Sequence, residues 1–242
     1  MKKIIIAIIL FYSIQTAQAQ GIKDFIKKAV SKDTTIKRNI GLSNTDIISG
    51  LKEALVIGTQ RGTEKLSVVD GFFKDAAIKV LLPEEAKKVE ANLRKIPGGT
   101  KMVDNAILSM NRAAEDAAKS ATPIFINAIK NINFNDAMGI LKGGDSSATK
   151  YLRNATLSAL TEAFRPIIEN SLAKVNATQH WNTLFTTYNK FSFNKINPDL
   201  SGYVTEKALS GIFYQVALEE QKIRKDPFAR STDILKKVFG NK

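Results

Sequence analysis

The chain has 242 residues, 44% of them hydrophobic and 24% charged, with 14 glycines and six prolines; that excludes a disordered or collagen-like polypeptide and a long flexible linker. Cysteine is absent, which excludes disulfides, a thiolate nucleophile and Cys-ligated zinc or iron–sulfur sites. The formal charge is +13, a surplus that attracts polyanions with little specificity.

At the N-terminus Lys2 and Lys3 precede an apolar run from Ile4 to Ile14, and Ala17, Gln18 and Ala19 form a small-residue cleavage site before Gln20. This pattern predicts a secretory signal peptide over 1–19, cleaved near Ala19/Gln20, and a periplasmic or secreted product. The run is about half the ~20 residues needed to cross a bilayer, so no transmembrane span is expected in the mature chain. Loss of Lys2 and Lys3 lowers the charge from +13 to +11, because residues 1–19 contain no acid. Outside the cytoplasm the polyanions on offer are lipid headgroups or envelope glycans, and no nucleic-acid partner is expected. Residues 20–41 form an N-terminal amphipathic segment, and 42–242 a single helical domain.

Within that domain the dominant period is 3.6. Ser43 caps a helix in which Ile47, Leu51, Ala54 and Leu55 share a face, and Asp46 completes a short-acid capping box. Gly50, Ala54, Gly58 and Gly62 make a small-residue row suited to a close helix crossing. Ile78 to Leu82 is the one short extended candidate. Pro83 opens a helix through Ile96, stopped by Pro97, Gly98 and Gly99. Thr100 caps the next, whose stripe runs Met102, Ala106, Met110, Ala113, Ala117, Ala121. Pro123 begins a segment carrying Phe125 and Ile129, and Asn135 or Asp136 caps a stretch ending at Leu141. From Asp145 or Ser146 a helix is apolar on two rows, 148/152/155/159/163 and 157/160/164/167, with a kink expected at Arg165 before Pro166. Further helices fit Thr178 to Phe191, Tyr203 to Arg224 and Asp226 to Phe239. No Asn-Gly or Asp-Gly hairpin signal appears, so the expected fold is all-α, a compact array of about eight or nine helices with little or no strand.

Several segments together carry a family likeness: Leu42-Ser43-Asn44 leading to Gly50-Leu51-Lys52-Glu53-Ala54-Leu55; Asn111-Arg112-Ala113-Ala114-Glu115; Ala163-Phe164-Arg165-Pro166; Tyr203-Val204-Thr205; and Ile223-Arg224-Lys225-Asp226-Pro227 with Arg230. From about Leu42 to Gly240 the chain resembles the bacterial family named domain of unknown function 4197. The resemblance implies a secreted or envelope-associated helical domain and brings no catalytic residue.

Sequence motifs for catalysis are missing: there is no G-x-S-x-G, H-E-x-x-H, G-x-x-x-x-G-K-[ST] or G-x-G-x-x-G. The single histidine, His180, beside Trp181, reads as a packed or surface residue. Asn197, Asp199, Ser201, Gly202 and Tyr203 imitate a calcium loop, yet Ala208 stands where the bidentate Glu belongs, so a loop with a helix cap is the expectation and no metal or cofactor is assigned. More informative are charges on faces that otherwise read as core: Glu219 and Glu220 on the stripe from Val204 to Ile223, Arg153 heading the row of Leu157 and Phe164, and Asn111, Arg112 and Glu115 beside the alanine stripe. A buried charge needs a partner, so ion pairing is one reading. The other is a polar floor for an apolar ligand, with Arg153, Arg165, Glu219 and Arg224 as its members. The resulting expectation is a non-catalytic binding module for a lipid, another apolar or anionic envelope ligand, or a protein partner. A hydrolase with a carboxylate-based site and a purely structural envelope protein are the alternatives.

Overall fold

The computed structural model describes residues 43–174 and 199–240, with 177, 178, 181, 186, 189, 190 and 195 between them. These residues form eight α-helices and no strand: α1 (Asn44–Ser67), α2 (Lys87–Leu93), α3 (Gly99–Ala118), α4 (Ala121–Lys130), α5 (Phe134–Lys142), α6 (Ser147–Ala173), α7 (Leu200–Lys225) and α8 (Asp233–Gly240). Single 3-10 turns lie at Glu84–Ala86 and Pro227–Ala229. The all-α expectation holds for the described residues. Of the helix expected from Thr178 to Phe191, only Thr178, Trp181, Thr186, Asn189 and Lys190 are among them, each helical, while His180 and the first residues of the calcium-like loop, Asn197 and Pro198, lie outside.

The N-terminal cap of α1 forms as its sequence dictates. Ser43 Oγ accepts from the Asp46 amide at 3.0 Å, and the Asp46 carboxylate accepts from the Ser43 amide at 3.1 Å. Its small-residue row faces α7 and α8: a Cβ built on Gly58 would lie 3.6 Å from Glu219 Cβ, and one on Gly50 only 2.6 Å from Val238 Cγ2. The backbones therefore approach where the side chains vanish. Helix α7 runs antiparallel to α6, with Ala148 meeting Glu220 at one end and Arg165 meeting Asp199 at the other. It also packs on α1 and α3, while α4 lies against α1 and α6. The core is continuous through these contacts, with Phe125 and Phe213 edge to face at 5.8 Å and Phe164, Leu152, Leu160 and Ile168 sealed beside them.

Several boundaries differ from expectation. Gly98, at φ 79°, turns the chain into α3, so Thr100 sits inside the helix with its hydroxyl donating to the Arg94 carbonyl. The buried stripe of α3 starts at Val103 and passes through Ile107, Met110, Ala113 and Ala117, leaving Met102 61% exposed. Asn133 caps α5 with Asp136 as its reciprocal partner, two residues before the expected Asn135. Pro83 leads into a 3-10 turn, and α2 ends at Leu93. Helix α6 buries a single row, Ala148, Leu152, Thr156, Leu160, Phe164, Ile168 and Leu172; Leu157, Ala155 and Ala159 are exposed. Alanine fits either environment, so the 148/152/155/159/163 row built largely on it was no guide to burial. The helix continues through Pro166 to Ala173. The piece from Asp226 to Phe239 is two elements, because Asp226 and Pro227 start a 3-10 turn that ends before α8.

Candidate functional site

Between α1 and α2 the chain crosses the molecular surface over residues 68–83, and buried polar side chains of α3 hold it there. Glu115 Oε1 accepts from the amides of Phe72 and Phe73 at 3.1 and 3.2 Å. Arg112 bridges Glu115 at 2.6 Å and Asp70 at 2.7 Å. Asp70 adopts φ 71°, a left-handed conformation that aspartate tolerates, and hydrogen bonds from Lys74 and then Arg112 hold its carboxyl below the usual range. Asn111 acts as a one-residue strand partner: its Oδ1 accepts from the Val80 amide at 2.9 Å, and its Nδ2 donates to the Val80 carbonyl at 2.8 Å. This satisfies both polar backbone groups of Val80, in a stretch that is neither helix nor strand. Phe72 is fully buried, its ring seated over Gly211 of α7.

Secured in this way, residues 79–85 form one wall of a groove of about 770 Å³, and the first turns of α7 form the other. Tyr203 lies on its floor and ties the walls together, its hydroxyl donating to the Leu81 carbonyl at 2.8 Å. Trp181 stacks on the Tyr203 ring, with centroids 6.2 Å apart and planes 18° from parallel. Burial, with the fields of Glu206, Glu85 and Glu84, pushes the phenol up to about 12. Leu81, Leu82 and Pro83 supply apolar wall, and Lys79, Lys195 and Lys207 share the rim with Glu84, Glu85 and Glu206. Two of these cations are positioned by rings: Lys79 Nζ lies 4.0 Å from the centroid of Phe73, and Lys207 Nζ 5.5 Å from that of Tyr203. Lys195 donates to the Asn189 carbonyl.

The four residues read from sequence as a polar floor do not converge. Arg224 and Glu220 form a buried pair on α7, 2.8 Å apart, with side chains 8% and 6% exposed. Glu220 also accepts from the Ala148 and Thr149 amides at 3.0 and 2.9 Å and from the Thr149 hydroxyl at 2.8 Å, so it caps the start of α6 from another helix. Arg224 completes the joint by donating to the Ile140 carbonyl and Ser147 Oγ, each at 2.8 Å. Glu219 is buried against α1 and reaches the exposed Lys222 at 2.5 Å. Arg153 lays its guanidinium 4.5 Å from the Phe213 ring centroid. Arg165 lies at the opposite end of α6, paired with Asp199 at 2.7 Å and Glu169 at 3.4 Å. The cavity beside Glu220 and Arg224 is about 20 Å³, room for a single water and no more. Asp199, once the third position of the calcium-like loop, caps α7 by accepting from the Gly202 amide at 2.9 Å. Among the described residues no cluster of three or more His, Asp or Glu side chains is placed to hold a metal.

The groove escaped sequence reading because its walls are far apart in the chain, Leu81 and Tyr203 being 122 residues from each other. Tyr203 and Lys207 at i, i+4 were the available signal, and that spacing is equally common on ordinary helix surfaces.

A family model described as a protein of unknown function (DUF4197) matches residues 41–240. The chain belongs to this family. No curated protein and no solved structure matches it. The match runs through α1 to α8 of this DUF4197 protein, so it takes in both walls of the groove and the Glu220–Arg224 joint. No helix of the described residues is long and apolar enough to cross a membrane.

Proposed function

We propose that this DUF4197 protein is an exported, non-catalytic binding module of the cell envelope whose ligand lies in the groove between residues 79–85 and the start of α7. The groove itself carries the reading. Its volume of about 770 Å³ falls in the range of small-molecule sites. Its lining joins an apolar wall of Leu81, Leu82 and Pro83 to lysines held at defined places. Such a surface suits an amphiphile with an anionic head: the lysines take the charge, and the apolar wall takes the chain or ring. Tyr203 supports binding over acid–base chemistry, since a phenol pushed up to about 12 with its proton committed to the Leu81 carbonyl keeps that proton at neutral pH. Export is supported by the Ala17-Gln18-Ala19 site after the apolar run.

Native mass spectrometry of protein recovered from the envelope tests the reading. A discrete bound species is expected on the wild-type chain and is lost from Lys79→Glu/Lys207→Glu at an unchanged melting midpoint. A bare chain in every preparation, or a bound species indifferent to both lysines, removes the groove as the binding site.

A further inference from the structure

Phe228 is 96% exposed, the most exposed large apolar side chain among the described residues. It does not sit in a slack segment. Asp226 Oδ1 accepts from the Phe228 amide at 2.8 Å, Pro227 fixes the first backbone angle of the turn, and Arg230 donates to the carbonyls of Ile223 and Arg224 at 3.0 and 2.9 Å. The turn is thus clamped onto the end of α7 and holds a phenyl ring in water, where it forgoes the burial that a side chain of this size ordinarily gains.

The surroundings are basic. From Lys222 to the C-terminus the sequence has seven basic and two acidic side chains. Lys222 and Lys225 on α7 and Lys236 and Lys237 on α8 are all exposed; Lys222 pairs with the buried Glu219, Lys225 with Asp145 and Lys236 with Asp233, so the positive excess at this end comes from bases outnumbering the acids. Helix α8 lies on the first turns of α1, as the approach of Val238 to Gly50 shows, so the segment preceding Ser43 joins the fold at this end too. That segment, residues 20–41, has six basic and two acidic side chains, with Ile22, Phe25, Ile26, Ala29 and Val30 at three- and four-residue spacing.

From this juxtaposition we infer that the α7–α8 end of the molecule docks on an anionic lipid bilayer, Phe228 entering the interfacial layer while the surrounding lysines meet the headgroups. Neither signal suffices alone: one aromatic ring partitions weakly, and surface lysines give attraction without depth, but together they hold a protein at a charged membrane. A protein partner fits less well, because a protein interface has a contiguous apolar centre, and here a lone ring stands among charged side chains. The inference is independent of the groove, which lies at the other end of α7.

Co-sedimentation tests it, using the chain from Gln20 onward, which retains every residue of the described fold. The probes are vesicles of phosphatidylcholine alone and of phosphatidylcholine mixed with phosphatidylglycerol. Binding to the mixed vesicles only, weakened by salt, is expected. Phe228→Ser should lower the partition coefficient roughly tenfold, and Lys236→Glu/Lys237→Glu should lower it further, both at an unchanged melting midpoint. Absence of vesicle binding overturns the inference, as does a Phe228→Ser variant that binds like wild type, which would show that the ring does not enter the bilayer. Phe228-dependent cross-linking to an envelope protein without vesicle binding overturns it in favour of a protein partner.

Discussion

Glu220 shows how one side chain can hold three helices in register. Its carboxylate closes the start of α6, and its partner Arg224 reaches the end of α5, so the pair stands where α5, α6 and α7 meet. Glu220→Ala strands the buried guanidinium and frees two amides, and chemical denaturation should report a loss of about 3–5 kcal/mol. Lys225→Ala, which removes an exposed pair with Asp145, should cost under ~1 kcal/mol. Glu220→Leu/Arg224→Met should recover much of the loss, since replacing both charges leaves neither stranded. Tyr203 makes a pH prediction. Its folded value, about 12, lies above the ordinary 10.0, so the folded state holds the phenol proton more tightly. That contribution is complete below pH 10 and is lost as pH rises through about 12. Ultraviolet titration should show one tyrosine ionising late, and Tyr203→Phe should abolish that late step; its persistence in the variant would assign it to another residue.

Helices and the 68–83 crossing meet through glycines whose roles differ by position. A Cβ on Gly211 would lie 2.5 Å from Cε1 of Phe72, a ring with no room to retreat. Gly211→Ala should therefore destabilise by about 1–3 kcal/mol and loosen the groove wall, measurable as faster amide exchange at Val80. Gly139 lies inside α5 with nothing within 4 Å of a built Cβ, so Gly139→Ala should stabilise by about 0.5–1 kcal/mol through helix propensity. The contrast also explains which elements could be read in advance. The α1 cap was legible because Ser43 and Asp46 satisfy each other within one turn. The start of α3 was misplaced because Gly98 turns the chain by its left-handed backbone, while Thr100, a good cap by residue type, found the Arg94 carbonyl instead. Asn111 and Glu115 were visible as polar intrusions on an alanine face, but their partners are backbone amides of a distant segment, which carry no residue signature.

At the scale of the whole molecule, the described residues form helices without strands around one continuous core, so unfolding should follow a single cooperative transition and far-ultraviolet circular dichroism should be dominated by helix. Two separated transitions, or a strand-dominated spectrum, would contradict this packing. Protein from the envelope fraction should have lost residues 1–19 by intact mass; a full-length species held in the membrane would end the proposal of export. Sequence by itself determined what depends on neighbours along the chain: the all-α class from the 3.6 period, the α1 cap, the absence of thiol chemistry and the likeness to DUF4197. It also singled out Glu219 and Glu220 as charges in need of partners, because polar residues interrupt an apolar stripe. Tertiary structure alone decided whom they pair with, and it alone dispersed Arg153, Arg165, Glu219 and Arg224 while bringing Leu81 to Tyr203. The physical reason is that a cap or a stripe is written within a few residues, whereas a groove is space left between elements, and its shape depends on how far packing lets their backbones approach.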